Sequence, residues 1–269
     1  TTAEQNTAVG AKSLFTNSVG IRNSAFGYYS LYSNTTGSYN TALGNRALQF
    51  NDSGTRNVAI GYLASRFNTF GKYNNALGNL SLYSNTTGVK NNAFGYNALF
   101  ANVVGSNNSA FGHYALYANT TNNNSAFGYK ALFANTTGTF NVAVGNLSML
   151  SNNSGGYNTA VGYNALPANT FGNYNVAIGV STLGGNTTGN RNTAVGRAAL
   201  GSNVIGSNNS AFGYLALYSN TTNNNSAFGY KALYSNTIGV NNVAVGMQSL
   251  QNNTTGSGNT AVGLNSLLA

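Results

Sequence analysis

A five-residue phrase, Asn-x-Ala-apolar-Gly, recurs from one end of the chain to the other and restricts its folding more than any other feature. It ends at Gly10, Gly27, Gly44, Gly61, Gly78, Gly95, Gly112 and Gly128, then at Gly145, Gly162, Gly179, Gly196, Gly213, Gly229, Gly246 and Gly263, sixteen copies in 269 residues. Successive copies lie 17 residues apart except for two steps of 16, Gly112 to Gly128 and Gly213 to Gly229. Both short steps contain Thr-Thr-Asn-Asn-Asn-Ser-Ala-Phe-Gly. No linker or shift of composition interrupts the series, so residues 1–269 read as a single continuous repeat array. Segments 102–138 and 203–239 are nearly identical, which marks duplication of a six-coil block, each added coil meeting the same neighbours as before. The chain starts on Thr and has no basic, apolar leader, and is therefore expected to be a mature form or a fragment of a longer chain.

The repeat is strict position by position. The Asn four before the glycine (Asn23, Asn40, Asn57) and the Ala two before it (Ala42) are the same in every copy. The residue just before the glycine is always Val, Phe, Leu or Ile. Four after it stands Leu, except for Ser65 and Met149; seven after it stands a second Asn (Asn34, Asn51) in every complete copy. Ten after it stands Gly, replaced by Asn122 and Asn223 in the short copies.

Seventeen residues are too few for two packed helices and their turns, because helical repeats run from about 33 residues upward. Gly, Asn, Thr and Ser also oppose helix. The expected fold is all-β: a parallel β-solenoid or β-roll of about sixteen coils, with two short strands per coil. Asn-Thr-Thr-Gly suits a turn that uses positive φ at Asn or Gly, and the motif glycine, such as Gly44, ends the first strand. Identical amides one coil apart, about 4.8 Å, form ladders, so Asn23, Asn40 and Asn57, and likewise Asn34 and Asn51, are expected to hydrogen-bond from coil to coil. Alternation along the first strand sends Asn, Ala and Gly to one side and the Thr/Ser/Val and bulky apolar positions to the other. A lone chain would then expose sixteen apolar side chains in a row, Phe26, Phe111 and Phe228 among them. That is more than a soluble monomer tolerates, so the expectation is a homo-oligomeric fibre.

Composition removes most chemistry. Charged residues make up 5% of the chain, against about 25% in an ordinary domain. There is no cysteine, Glu4 and Asp52 are the only acids, and His113 is the only histidine. A triad lacks its orienting acid, and calcium-binding rolls need recurring Asp. No catalytic residue, metal ligand or cofactor is expected, and the chain is not read as an enzyme. No run approaches the ~20 apolar residues of a membrane helix, so no membrane insertion is expected. The formal net charge is +9. The eleven basic residues are too sparse for a nucleic-acid groove and suit weak, salt-screened attraction to anionic cell surfaces.

Two columns of aromatics recur, one directly after the motif glycine and one five residues after it. The latter includes Tyr32, Tyr83, Tyr117, Tyr218 and Tyr234 and is the candidate surface for adhesion or glycan binding; stacking that shields the coils is the competing role. Thr35, Thr86, Thr136 and Thr187 form a further column that raises ice binding, although they sit at a turn. The sequons at Asn34, Asn85, Asn135 and Asn186 are expected to be closed to glycosylation if these Asn are laddered inside.

Asn-Ser-Ala-Phe-Gly (23–27) and Asn-Val-Ala-Ile-Gly (57–61 and 175–179) resemble the short motif of YadA-like head domains in trimeric autotransporter adhesins. The longer Asn-Thr-Ala-Val-Gly-Tyr-Asn-Ala-Leu-x-x-Asn-Thr (158–170) is closer still to the repeats of "tail fiber domain-containing" surface and secreted fibre proteins. The resemblance covers essentially the whole chain, and the YadA-like repeat is shorter than this one. It implies a left-handed roll, a trimer, and an extracellular, cell-surface or virion location. The resulting expectation is a structural shaft or head segment of an extracellular adhesive fibre that attaches to or captures cells or surfaces, its partners being further copies of itself and a cell-surface or glycan ligand. The alternative is a repeat-array binding module whose regular face binds glycan or ice.

Overall fold

A computed structural model of the chain describes residues 3–268. These fall into two compact units, Thr1–Thr137 and Gly138–Ala269, each a parallel β-solenoid of 17-residue coils with no helix among the described residues. Every coil contributes one strand of three residues, the x-Ala-apolar segment of the motif. In the first unit these are β1 (Thr7–Val9), β2 (Ser24–Phe26), β3 (Thr41–Leu43), β4 (Val58–Ile60), β5 (Asn75–Leu77), β6 (Asn92–Phe94), β7 (Ser109–Phe111) and β8 (Ser125–Phe127). In the second they are β9 (Val142–Val144), β10 (Thr159–Val161), β11 (Val176–Ile178), β12 (Thr193–Val195), β13 (Ser210–Phe212), β14 (Ser226–Phe228), β15 (Val243–Val245) and β16 (Thr260–Val262). Within each unit strands pair in sequence order, parallel and in register, with Ala on Ala.

Among the described residues the expected second strand is absent. In its place each coil turns through residues of positive φ in three columns: five before the motif glycine (Tyr39, φ 61), two after it (Tyr29, φ 56) and four after it (Leu31, φ 48). A left-handed conformation costs a bulky L-residue roughly 1–2 kcal/mol. At the Leu column it swings the side chain inward: Leu31, Leu48, Leu82, Leu99, Leu116 and Leu132 are fully buried, which returns about 1.5–3 kcal/mol each. Backbone amides in the turning part of the coil bond to the coils on both sides. Leu31 N–H donates to the Ala47 carbonyl (3.0 Å) and Ser33 N–H to Gln49 (2.9 Å), while Tyr29 N–H donates to Ala11 (3.1 Å) and Tyr39 N–H to Ile21 (3.0 Å).

The turn after the second Asn also differs from expectation. Neither Asn34 nor Gly37 has positive φ. The glycine is needed for space: a Cβ at Gly37 would lie 2.4 Å from Asn34 Oδ1 and 2.4 Å from the Gly54 carbonyl oxygen. The motif glycine does need its backbone freedom, Gly44 having φ 138 with its missing Cβ 2.5 Å from the Gly61 oxygen. Small side chains fill the rest of the interior. Ala25, Ala42 and Ala59 of the motif are fully buried, as are Ala47, Ala64 and Ala98 three after the glycine. Where Ser takes that last place its hydroxyl is satisfied, Ser30 Oγ donating to the Gly27 carbonyl (3.0 Å) and Ser81 Oγ to Gly78 (2.8 Å).

Candidate functional site

Both asparagine columns lie inside the coils, and they are wired differently. The column of Asn34 and Asn51 is an amide-to-amide ladder: Asn34 Nδ2 donates to Asn17 Oδ1, Asn51 Nδ2 to Asn34 and Asn68 Nδ2 to Asn51, each at 2.7 Å. The column of Asn23, Asn40 and Asn57 works chiefly through the backbone. Asn23 Oδ1 accepts from Asn40 N–H (2.9 Å) and Asn40 Oδ1 from Asn57 N–H (3.0 Å), while the direct amide contacts are longer, 3.2 Å. The columns meet at the turn glycine, whose carbonyl takes one amide from each: Gly54 O accepts from Asn40 Nδ2 (2.8 Å) and Asn51 Nδ2 (3.0 Å). The buried amides of Asn34, Asn40 and Asn51 thus have both oxygen and nitrogen engaged, as burial demands. The same burial encloses the sequon residues Asn34, Asn85, Asn135 and Asn186.

The two short coils are rewired. Counting forward from the glycine puts Asn122 in the place of the turn glycine, but the structure puts Thr121 there, its carbonyl accepting from Asn108 Nδ2 (2.7 Å) and Asn119 Nδ2 (2.8 Å). Asn122 takes the place of Ser38 one coil type over, its Oδ1 accepting from Ser106 N–H as Ser38 Oγ accepts from Ile21 N–H. Asn124 Nδ2 crosses to Asn119 Oδ1 (3.0 Å). The second unit repeats the change at Thr222, Asn223 and Asn225. The ladder is weakened just before each deletion: Asn102 Oδ1 is buried without a hydrogen-bond partner, and Asn203 Oδ1 receives Asn220 Nδ2 only at 3.5 Å.

The opposite strand face is open to solvent in the single chain. Phe26, Leu43, Phe111 and Phe127 in the first unit and Ile178, Phe212 and Phe228 in the second are 36–48% exposed. Phenylalanines in adjacent coils stack, Phe94 on Phe111 at 4.7 Å, Phe111 on Phe127 at 5.0 Å and Phe212 on Phe228 at 5.0 Å. No charged residue occupies either outward position of any strand.

The five tyrosines expected at an adhesive surface are all half-buried within their own column. Tyr83, Phe100, Tyr117 and Phe133 form a continuous stack with centroids 5.1–5.2 Å apart, Tyr218 stacks on Tyr234 at 5.5 Å and Tyr32 on Phe15 at 5.5 Å. The first threonine of the turn bonds the next coil: Thr86 Oγ1 donates to the Val103 carbonyl (3.1 Å) and Thr187 Oγ1 to Val204 (3.2 Å), and Thr35 Oγ1 bonds Asp52. His113 stands in the tyrosine column after the glycine, 6.2 Å from the Tyr96 ring. Among the described residues no three of His, Cys, Asp and Glu come together, and no helix is long and apolar enough to cross a membrane.

One surface column escaped the reading of the sequence, the one five before the motif glycine. In the first unit it runs Arg22, Tyr39, Arg56, Tyr73, Lys90, all exposed. Arg22 and Arg56 each lie 5.4 Å from the Tyr39 centroid, and Arg56 is 5.4 Å from Tyr73. Arg22 Nη1 donates to the Tyr39 hydroxyl (3.0 Å) and Arg56 Nη1 to that of Tyr73 (2.6 Å). In the second unit Phe140, Tyr157 and Tyr174 stack at 4.9 and 5.0 Å, with Arg191 6.0 Å from Tyr174 beside a depression of about 310 Å³. The only signal was the alternation of Arg and Tyr at 17-residue spacing, masked by the varied identity of the column. Elsewhere Lys12 Nζ donates to the Tyr29 hydroxyl (3.0 Å), and that bond raises the lysine pKa and lowers that of the tyrosine. No family model matches the chain, and no curated protein matches it.

Proposed function

We propose that the chain is a structural shaft or head segment of an extracellular adhesive fibre, built from several copies, three being the favoured number, that pack through their strand faces. The observation that carries this reading is the uncharged row of half-exposed apolar side chains, one per coil, in each unit. A face of this kind is a liability on a free chain. A second copy is the natural cover, because it offers the same row at the same pitch and packs coil against coil. The laddered interior supplies what a shaft requires: coils are bonded to their neighbours through side chain and backbone, so stability accumulates as coils are added. The charge-poor, laddered composition and the resemblance to fibre repeats support a location outside the cell or on a virion.

Light scattering on the intact chain tests the reading. The native mass is expected at a small multiple of 27.8 kDa, with three copies favoured. Phe111→Lys with Phe127→Lys is expected to reduce it to one copy while the circular dichroism of the coils persists. A wild-type mass of 27.8 kDa would overturn the packed fibre and leave a self-contained solenoid with a binding face.

A further inference from the structure

We propose that the ridge of Arg22, Tyr39, Arg56, Tyr73 and Lys90 binds a linear acidic polysaccharide carrying one carboxylate or sulfate per disaccharide, an inference that rests on the adhesive reading above and names its ligand class. The backbone under the ridge is fixed. Tyr39 N–H donates to Ile21 (3.0 Å), Arg56 N–H to Ser38 (3.1 Å), Tyr73 N–H to Thr55 (3.1 Å) and Lys90 N–H to Lys72 (3.0 Å). Each residue also has nearly the same φ, 56 to 61. The side chains therefore project at coil pitch. Cations fall on alternate coils, which puts them about 9.6 Å apart, the interval of a disaccharide. Arg56 is held between the rings of Tyr39 and Tyr73 and Arg22 between the Tyr39 ring and the Gln5 amide oxygen, and each donates to a tyrosine hydroxyl, so little side-chain freedom remains to be lost on binding. Nor are they neutralised from within: the chain's only acids are Glu4, beside Gln5 at the end of the row, and Asp52, which bonds Thr35. Between the cations the exposed Tyr39 and Tyr73 present hydroxyl edges suited to sugar hydroxyls.

The spacing argues against nucleic acid. Duplex DNA carries a charge per about 1.7 Å of axis, far denser than this row, and would leave most phosphates unmatched. The second unit has a single cation in the same column, Arg191, and so lacks the repeat.

The test is calorimetric titration of the intact chain with hyaluronan decasaccharide, which has one carboxylate per disaccharide, at low salt, with a single-stranded oligonucleotide of equal charge as competitor. Wild type is expected to bind the decasaccharide in preference to the oligonucleotide. Arg56→Gln is expected to weaken binding about fivefold and reduce the salt dependence by about one charge, with native mass unchanged. Lys130→Gln, off the ridge in the same unit, is expected to leave affinity within about twofold, since only net charge changes. No binding by wild type, equal loss at Lys130→Gln, or tighter binding of the oligonucleotide would overturn the proposal. An oligomer that fails to bind refutes the ridge alone, whereas a monomer that binds refutes the packed fibre alone.

Discussion

Coils of 17 residues and the two of 16 solve the same problem with different wiring. In a regular coil the turn glycine lets the amide of Asn51 reach both Asn34 and the Gly54 carbonyl, and no polar atom of the ladder is left over. In the short coil at 112–128 the missing residue comes out of the turn, Thr121 fills the glycine's place, and Asn124 is drawn across to Asn119. The price is a buried carbonyl oxygen on Asn102 with nothing to accept. The fold thus tolerates a deletion where amides can be reassigned, and pays at the coil next door. The amide ladder, more than the narrow Leu column, is expected to set how well one coil holds the next.

The largest test of that contrast replaces a ladder amide by an isosteric apolar group on each side of it. Asn68→Leu removes the donor to Asn51 Oδ1 and the acceptor of Asn85 Nδ2; it is expected to cost about 3 kcal/mol by thermal or denaturant unfolding. Asn102→Leu removes an oxygen that already lacks a partner, and is expected to cost about 1–2 kcal/mol less. Equal losses would mean the ladder contributes little. A second test asks whether a defect can exist in a coil of regular length. Ser65 stands in the buried Leu column with its Oγ unpaired, in contrast to Ser30 and Ser81 one place earlier. Ser65→Leu is expected to stabilise by about 2 kcal/mol, from restored apolar burial and the loss of an orphan hydroxyl. The smallest effect should come from repairing a short coil. Insertion of Gly between Thr121 and Asn122 recreates Asn-Thr-Thr-Gly, returns a partner to Asn102 Oδ1, and is expected to raise stability by about 1 kcal/mol. A neutral or destabilising insertion would show that the rewired turn is already optimal.

What repeats without variation was legible in the sequence. Asn40, Ala42 and Gly44 announce a coil, a buried small face and a turn, because a position that meets its own copy above and below admits few substitutes. The left-handed Leu31 was not legible, since Leu has no local preference for that backbone and adopts it only because the coil interior rewards it. That is why a second strand was expected where the chain turns. Gly37 was legible as necessary, but for the wrong reason: its role is clearance beside two amides, which depends on the neighbouring coil. Thr121 was hidden because counting from the preceding glycine places the deletion one residue late. The ridge of Arg22, Tyr39 and Arg56 was hidden because its column is defined by geometry rather than residue type. The tyrosine column was legible from its 17-residue spacing, and its members, Tyr117 among them, are half-buried in a stack of their own.

Hydrogen exchange resolved along the chain by mass spectrometry tests the ladder most directly, since protection reports how firmly each coil is held. The regular coils spanning residues 34–85 are expected to exchange last, and the segments 102–124 and 203–225 first. Protection in the short-coil segments equal to that of the regular coils would contradict the account, and coil-to-coil stability would then have to come from the backbone and the Leu column alone.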